Sequence, residues 1–435
     1  MPCFQSKTTL FRVFLLLFGC VIFSLNSLAQ PDGDSYYEDA VFNPDIKSVQ
    51  LFPNDDQLAL PILKLGGDGQ LLLKFDDLSG GSKSYSYTII QCDADWHESF
   101  LIQSEYLGGF FENQLDDYAL SFNTTMTYSN YQLLIPNDRV QLRYSGNYVL
   151  LVYEGNDREK LVLSRRFYVL DPKVQVTGQV KRATFDPYKG DNQEVDFSVF
   201  PTQLKLDDPF REIKVVVMKN NCWDTGIKGL KPIFVRKDEL VYDYDKGNVF
   251  QGGNEYRYFD IRSWKYNGEN VDAIGQFDQY YHVTLAKDEL RSNKKYFFYR
   301  EMNGKYRIES QDREVTDPDT ECDYGFVHFS LAVPVPLVGG SVHVFGALSD
   351  WKTGPETAMT WNDKTKEYEL TLLLKQGYYN YQYVYVDNGD QKIDESVLEG
   401  SFYETENDYQ IYVYYRGLSG RYDQLVGFQQ LSSMN

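Results

Sequence analysis

The sequence predicts an all-β protein built as a tandem of immunoglobulin-like β-sandwiches, and three observations carry that prediction. Short runs alternate apolar and polar residues, as in Tyr85-Ser86-Tyr87-Thr88-Ile89, which is the period of a half-buried strand. The composition holds 36 Tyr and 28 Phe against 6 Met, a usage that suits pleated sheets better than helices. No long 3.6-residue periodicity occurs beyond a turn or two in 96–107, and Gly-, Asn- and Asp-rich turns part the runs.

At the N-terminus, Lys7 and Arg12 precede an apolar run over 13–23, and Ser27-Leu28-Ala29 supplies the small residues a signal peptidase needs. Residues 1–29 are therefore expected to be a signal peptide, cleaved before Gln30. The run falls short of the roughly 20 apolar residues that span a bilayer. Leu17-Phe18-Gly19-Cys20 resembles a lipobox, but Phe18 is bulky where a small residue is usual. Loss of Lys7 and Arg12 takes 43 basic residues to 41 against 63 acidic ones, so the net charge moves from -20 to -22. Such a chain is a poor partner for nucleic acid or anionic lipid without a local basic patch, and none stands out. Cys92, Cys222 and Cys322 are odd in number and far apart. At most one bridge can form, and burial as small hydrophobes is the expectation.

The first module is expected over 36–171, with strands at 71–75, 84–90, 148–153 and 161–169. Asp171-Pro172 ends it, because Pro cannot continue a ladder. A second module is expected over 172–320, with strands at 195–199, 213–218, 255–261, 281–285 and 296–299. A third is expected over 321–416, with strands at 326–331, 342–345, 368–374, 379–386 and 409–415. Residues 417–435 lose periodicity and read as a C-terminal tail.

The motif search gives no catalytic site, no cofactor site and no metal site. Asp93 and Asp95 beside Trp96 could suggest a pair of glycosidase carboxylates, but they lie two residues apart on a strand end and read as a structural corner. His97, His282, His328 and His343 have no metal-ligand spacing, although His328 and His343 could sit on neighbouring strands. No nucleophile elbow, P-loop or dinucleotide fingerprint occurs. In the third module, 342–351, Met359-Thr360-Trp361-Asn362 and 375–383 resemble the early-set immunoglobulin-like fold of glycogen-binding modules. The Lys of those modules corresponds to Gln382, and no Trp follows the turn at Asp387-Asn388-Gly389. Sugar binding is accordingly not expected, and a periplasmic carbohydrate-binding or polysaccharide-processing protein using this C-terminal module is the alternative reading.

The mature chain as a whole resembles the plug protein of the type IX secretion system of Bacteroidetes. The resemblance is carried by Cys92-Asp93 with Trp96, Glu105-Tyr106-Leu107 with Gly109, Asp117-Tyr118, Ser121-Phe122-Asn123-Thr124, Tyr128 with Tyr131, Pro136-Asn137, Ser145-Gly146-Asn147-Tyr148 and Ala183-Thr184-Phe185. It implies a non-enzymatic periplasmic protein that docks on a giant, SprA-like outer-membrane translocon β-barrel and seals its periplasmic opening. Loops bearing Trp96, Asn123, Tyr128, Tyr131 and Trp351 are the expected partner-binding positions, because aromatics bury much area at low entropy cost.

Overall fold

The computed structural model describes residues 35–434. The expected signal peptide lies outside them. The all-β expectation is borne out: the described residues form paired, mostly antiparallel sheets, and their helices are single turns such as Gln103–Tyr106.

In the first sandwich, Tyr85–Cys92, Gly146–Glu154 and Leu161–Leu170 form the centre of one sheet, edged by Asn113–Leu115 and Ala40–Val41. The facing sheet runs Ile46–Pro53, Leu71–Asp77, Ser129–Ile135, Asp117–Leu120. Alternation decides what goes inside. Tyr85, Tyr87 and Ile89 meet Leu71, Leu73 and Phe75 in one core, while Cys92 and Ala94 face a neighbouring sandwich.

The remaining strands group differently from the expected divisions. Ile213–Lys219 pairs with Asp408–Tyr415, which pairs with Gln424–Ser432, so the second sandwich is closed by strands expected in the third module and in the tail. Its core joins Val195, Phe197 and Val217 to Tyr409, Ile411 and Val426. Between its halves sits the third sandwich, where Arg257–Asp260 pairs with Gly377–Asp387 and Tyr280–Leu285 runs parallel to Tyr324–Ala332. The expected division at 320 therefore falls between two strands of one sheet. Periodicity marks strands and their inward faces, but not which distant strand supplies the neighbour.

Residues 296–299, expected as a strand, form none. The Tyr296 hydroxyl instead donates to Glu255 Oε1 at 2.5 Å, and the Tyr299 hydroxyl donates to the Glu255 carbonyl at 3.3 Å. Cys92, Cys222 and Cys322 are free and buried. Burial pushes all three thiols up, Cys322 to about 12, so they sit as inert small hydrophobes.

Candidate docking surface

The aromatic corner after Tyr85–Cys92 is an internal joint. Asp93 Oδ1 accepts from the amides of Asp95 and His97 at 2.9 and 3.0 Å, a turn that ties the carboxylate to the backbone. Trp96, at φ 67°, is turned inward and only 2 % exposed. Its ring meets Tyr168 and Trp223 edge-on, and the Arg166 guanidinium lies 4.5 Å above it. Trp223 belongs to the second sandwich, as does Tyr412, which stacks on Tyr168 at 4.6 Å. Asp423, fully buried in the segment expected as a tail, accepts from the Ala94 amide at 3.0 Å and pairs with Lys214 and Arg416. The corner fastens the first sandwich to the second.

A second joint, to the third sandwich, uses Tyr128. Its hydroxyl donates to the Cys322 carbonyl at 2.7 Å, and the Lys375 ammonium sits 4.2 Å over its ring. Lys375 and Asp76 form a fully buried ion pair at 2.7 Å. Asp76 also accepts from Tyr324 at 2.6 Å and from Asn130 at 2.7 Å, and Lys375 donates to the Asp319 carbonyl at 2.8 Å. The preceding loop grips the third sandwich through the amides of Thr125 and Met126, which donate to Asp323 at 2.6 and 3.2 Å. Asn123 stands at the exposed tip of that loop with φ 58°, a conformation Asn tolerates.

Tyr131 lies inside the first sandwich, stacked on Phe75 at 5.1 Å with its hydroxyl donating to the Lys83 carbonyl. Trp351, half-buried at φ 58°, meets Tyr256 and Phe345 edge-on. Its neighbour Asp350 receives both oxygens' worth of hydrogen bonds from Arg165 of the first sandwich, at 3.0 and 3.1 Å. Of the five positions expected to touch a partner, burial withdraws Trp96, Tyr128 and Tyr131 from the surface, Trp351 is half-buried against Tyr256 and Phe345, and Asn123 alone is exposed.

The surface carries a different set of apolar residues. Phe100, Ile102, Phe110 and Phe111 are exposed, Phe100 at 85 % and Phe110 at 69 %. Thr88 Oγ1 bridges the two segments that bear them, donating to the Phe111 carbonyl at 2.7 Å and accepting from Gln103 Nε2 at 3.0 Å. Tyr118 and Leu120 stand exposed on the outermost strand of the facing sheet, followed by Phe122. Periodicity could not find this set, since it marks buried faces; the adjacent Phe110-Phe111 pair outside any strand pattern was the available signal.

The polar clusters are internally balanced. Glu194, Asp196 and Asp243 are the one carboxylate trio close enough for a metal among the described residues, and the Lys181 ammonium already lies 3.2 Å from Glu194 and 3.9 Å from Asp243 while pairing with Asp196. Thr184 donates to Glu194 through both its amide and its hydroxyl. His328 meets His282 at 3.0 Å and not His343, which sits on the other sheet beside Thr357.

The family model described as the type 9 secretion system plug protein first domain matches residues 46–171. A crystal structure described as a hypothetical protein from Parabacteroides merdae ATCC 43184 is 36% identical, with a TM-score of 0.88 over 91% of this chain and 99% of that one. The chain belongs to the type 9 secretion system plug protein family. The exposed Phe100 and Phe110 segments of this plug-family chain lie within the matched domain, whereas its closing strand at Gln424–Ser432 lies far beyond it. No curated protein matches the chain. A Pseudomonas fluorescens alkylpurine DNA glycosylase bound to DNA aligns at 14% identity over 29% of this chain and 30% of that one, with a TM-score of 0.18 that bears on neither fold nor function.

Proposed function

We propose that this secretion component is a periplasmic plug without catalytic activity, which docks on the giant outer-membrane translocon barrel and closes its periplasmic opening while no substrate occupies the pore. The observation that carries the reading is the family match over the first sandwich, on which the exposed Phe100, Ile102, Phe110 and Phe111 segments are held side by side. A plug must be stiff enough to fill an opening and must bind through a surface it can release. Ion pairs and aromatic contacts between sandwiches supply the stiffness. Exposed aromatics on anchored loops supply area that is desolvated only on contact. Asn123 and Phe122 are exposed on a separate loop, where the Phe122 amide donates to the Thr320 carbonyl at 2.9 Å.

The test is affinity purification of the tagged mature chain from gently solubilised envelopes of its native host. A very large outer-membrane barrel should co-purify in near-stoichiometric yield. The double substitution Phe100→Ser/Phe110→Ser should lower that recovery about ten-fold, the loss expected from truncating anchor residues. Recovery of an unrelated assembly, or an unchanged yield from the variant, would refute the docking surface.

A further inference from the structure

Residues 287–300 depart from the acidity of the chain. They hold Lys287, Arg291, Lys294, Lys295 and Arg300 against Asp288 and Glu289, within a protein of net charge -20. This is the local basic patch that charge alone did not reveal. The folding of the segment decides what it presents. Tyr296 and Tyr299 are drawn inward by their hydroxyls onto Glu255, and Arg291 donates to the Tyr299 hydroxyl at 2.7 Å. Phe297 and Phe298, between these anchors, are turned out, Phe297 to 74 % exposure.

Beside Phe297 opens a cavity of about 410 Å³ whose lining includes Arg257, Lys287, Lys294 and Lys295. Arg257 is buried and held by Glu399 and Asp288, so it fixes a wall of the cavity. Lys294 pairs with Glu289 at the exposed rim, where such a pair is weak and exchanges readily, whereas Lys287 pairs with the buried Glu367. Lys295 and Arg300 are exposed and pair with no carboxylate among the described residues. Acidic residues also meet the loop: the Glu255 carboxylate accepts from Tyr296, Glu399 pairs with Arg291, and the Glu404 carbonyl accepts from Tyr296.

We infer that this loop is a contact for an anionic phospholipid surface, with Phe297 and Phe298 entering the acyl boundary and Lys294, Lys295 and Arg300 meeting headgroup phosphates. Two outward phenyl rings on a doubly anchored turn supply the apolar contact, and flanking cations supply the attraction. A protein partner would be served as well by the phenyl rings alone, whereas the cations and the basic cavity beside them complement phosphate. The contact stands apart from the apolar segments of the first sandwich and needs no translocon.

The test is co-sedimentation of the mature chain with vesicles of phosphatidylglycerol and phosphatidylethanolamine, with pure phosphatidylcholine vesicles as reference and no secretion component present. Binding should favour the anionic vesicles and weaken in high salt. Each of the variants Phe297→Ser/Phe298→Ser and Lys295→Glu/Arg300→Glu should reduce the bound fraction about ten-fold, while Phe234→Ser, at an exposed ring of the second sandwich, should leave it unchanged. Matching thermal midpoints establish that each variant is folded. Absence of wild-type binding to anionic vesicles, equal binding by all variants, or an effect of the Phe297 variant confined to barrel recovery would overturn the inference.

Discussion

Two joints hold the first sandwich to its neighbours, and they are built of opposite materials. Toward the third sandwich the contact is a polar network, with Asp76, Lys375, Tyr324 and Asn130 each given a partner in the interior. Toward the second it is mainly aromatic, with Trp96, Tyr168, Trp223 and Tyr412 packed edge-on or stacked beneath Arg166. A buried ion pair adds little net attraction over an apolar isostere, but it penalises any misfit by leaving a charge unpaired. An aromatic joint contributes through area and tolerates small shifts. The polar joint therefore sets the register between sandwiches, and the aromatic joint supplies adhesion.

The largest expected effect breaks the polar side. Lys375→Met leaves the Asp76 carboxylate buried without its cation and should destabilise the chain by about 3–5 kcal/mol. Adding Asp76→Leu should recover only part of this, because Tyr324 and Asn130 then lose their acceptor. Urea unfolding of the single and double variants measures both, and near-equal midpoints for wild type and Lys375→Met would refute the network. The aromatic side should fail more gently. Trp96→Ala opens a cavity under Arg166 and should cost about 3 kcal/mol, with a denaturant slope that reveals whether the second sandwich separates.

Glu301 sharpens the contrast, since it is a carboxylate that makes no ion pair among the described residues. Burial, with Glu255 nearby, lifts its pKa from 4.5 to about 8. The folded state thus holds the proton more tightly than the unfolded chain. That contribution to stability is full below about pH 4.5 and is lost as pH rises through 8. Glu301→Gln keeps an acceptor for the Gly304 amide and should be more stable than wild type by on the order of 2 kcal/mol at pH 9, with no difference at pH 4. Thermal midpoints that run parallel across that range would exclude the effect. Glu399 responds in the opposite sense. Burial alone would raise it, but Arg257 and Arg291 hold it at about 2, so its share of stability is lost as pH falls from 4.5 toward 2.

Strand positions and inward faces were legible because a two-residue period is local, as Tyr85, Tyr87 and Ile89 illustrate. Pairing was not, because Asp408–Tyr415 reaches Ile213–Lys219 across nearly two hundred residues of intervening chain, a separation no local pattern records. The signature residues were visible as unusual, and their role was misread for a physical reason. An aromatic that closes an internal joint and one that anchors a partner share the same chemistry, so Trp96 and Tyr128 looked like docking residues. The loop at 296–299 carries a strand-like composition, but its tyrosine hydroxyls found Glu255 and turned two phenyl rings outward.

The smallest expected effect concerns the last segment, and it separates burial from mere contact. Two charged side chains, Arg421 and Asp423, tie this segment to the first sandwich from positions two residues apart. Asp423 is buried and gathers the Ala94 amide, Lys214 and Arg416. Arg421 reaches Glu105 from a side chain 59% exposed. Water and salt screen the second contact, so Arg421→Ala should change stability by less than about 0.5 kcal/mol. Asp423→Asn should cost several times more, because Arg416 and Lys214 then face a neutral amide in the interior. Thermal unfolding at low and high salt distinguishes them. If Arg421→Ala proved the more damaging, the segment would be held by its surface clasp, and the joint between the first two sandwiches would owe less to Asp423 than its burial implies.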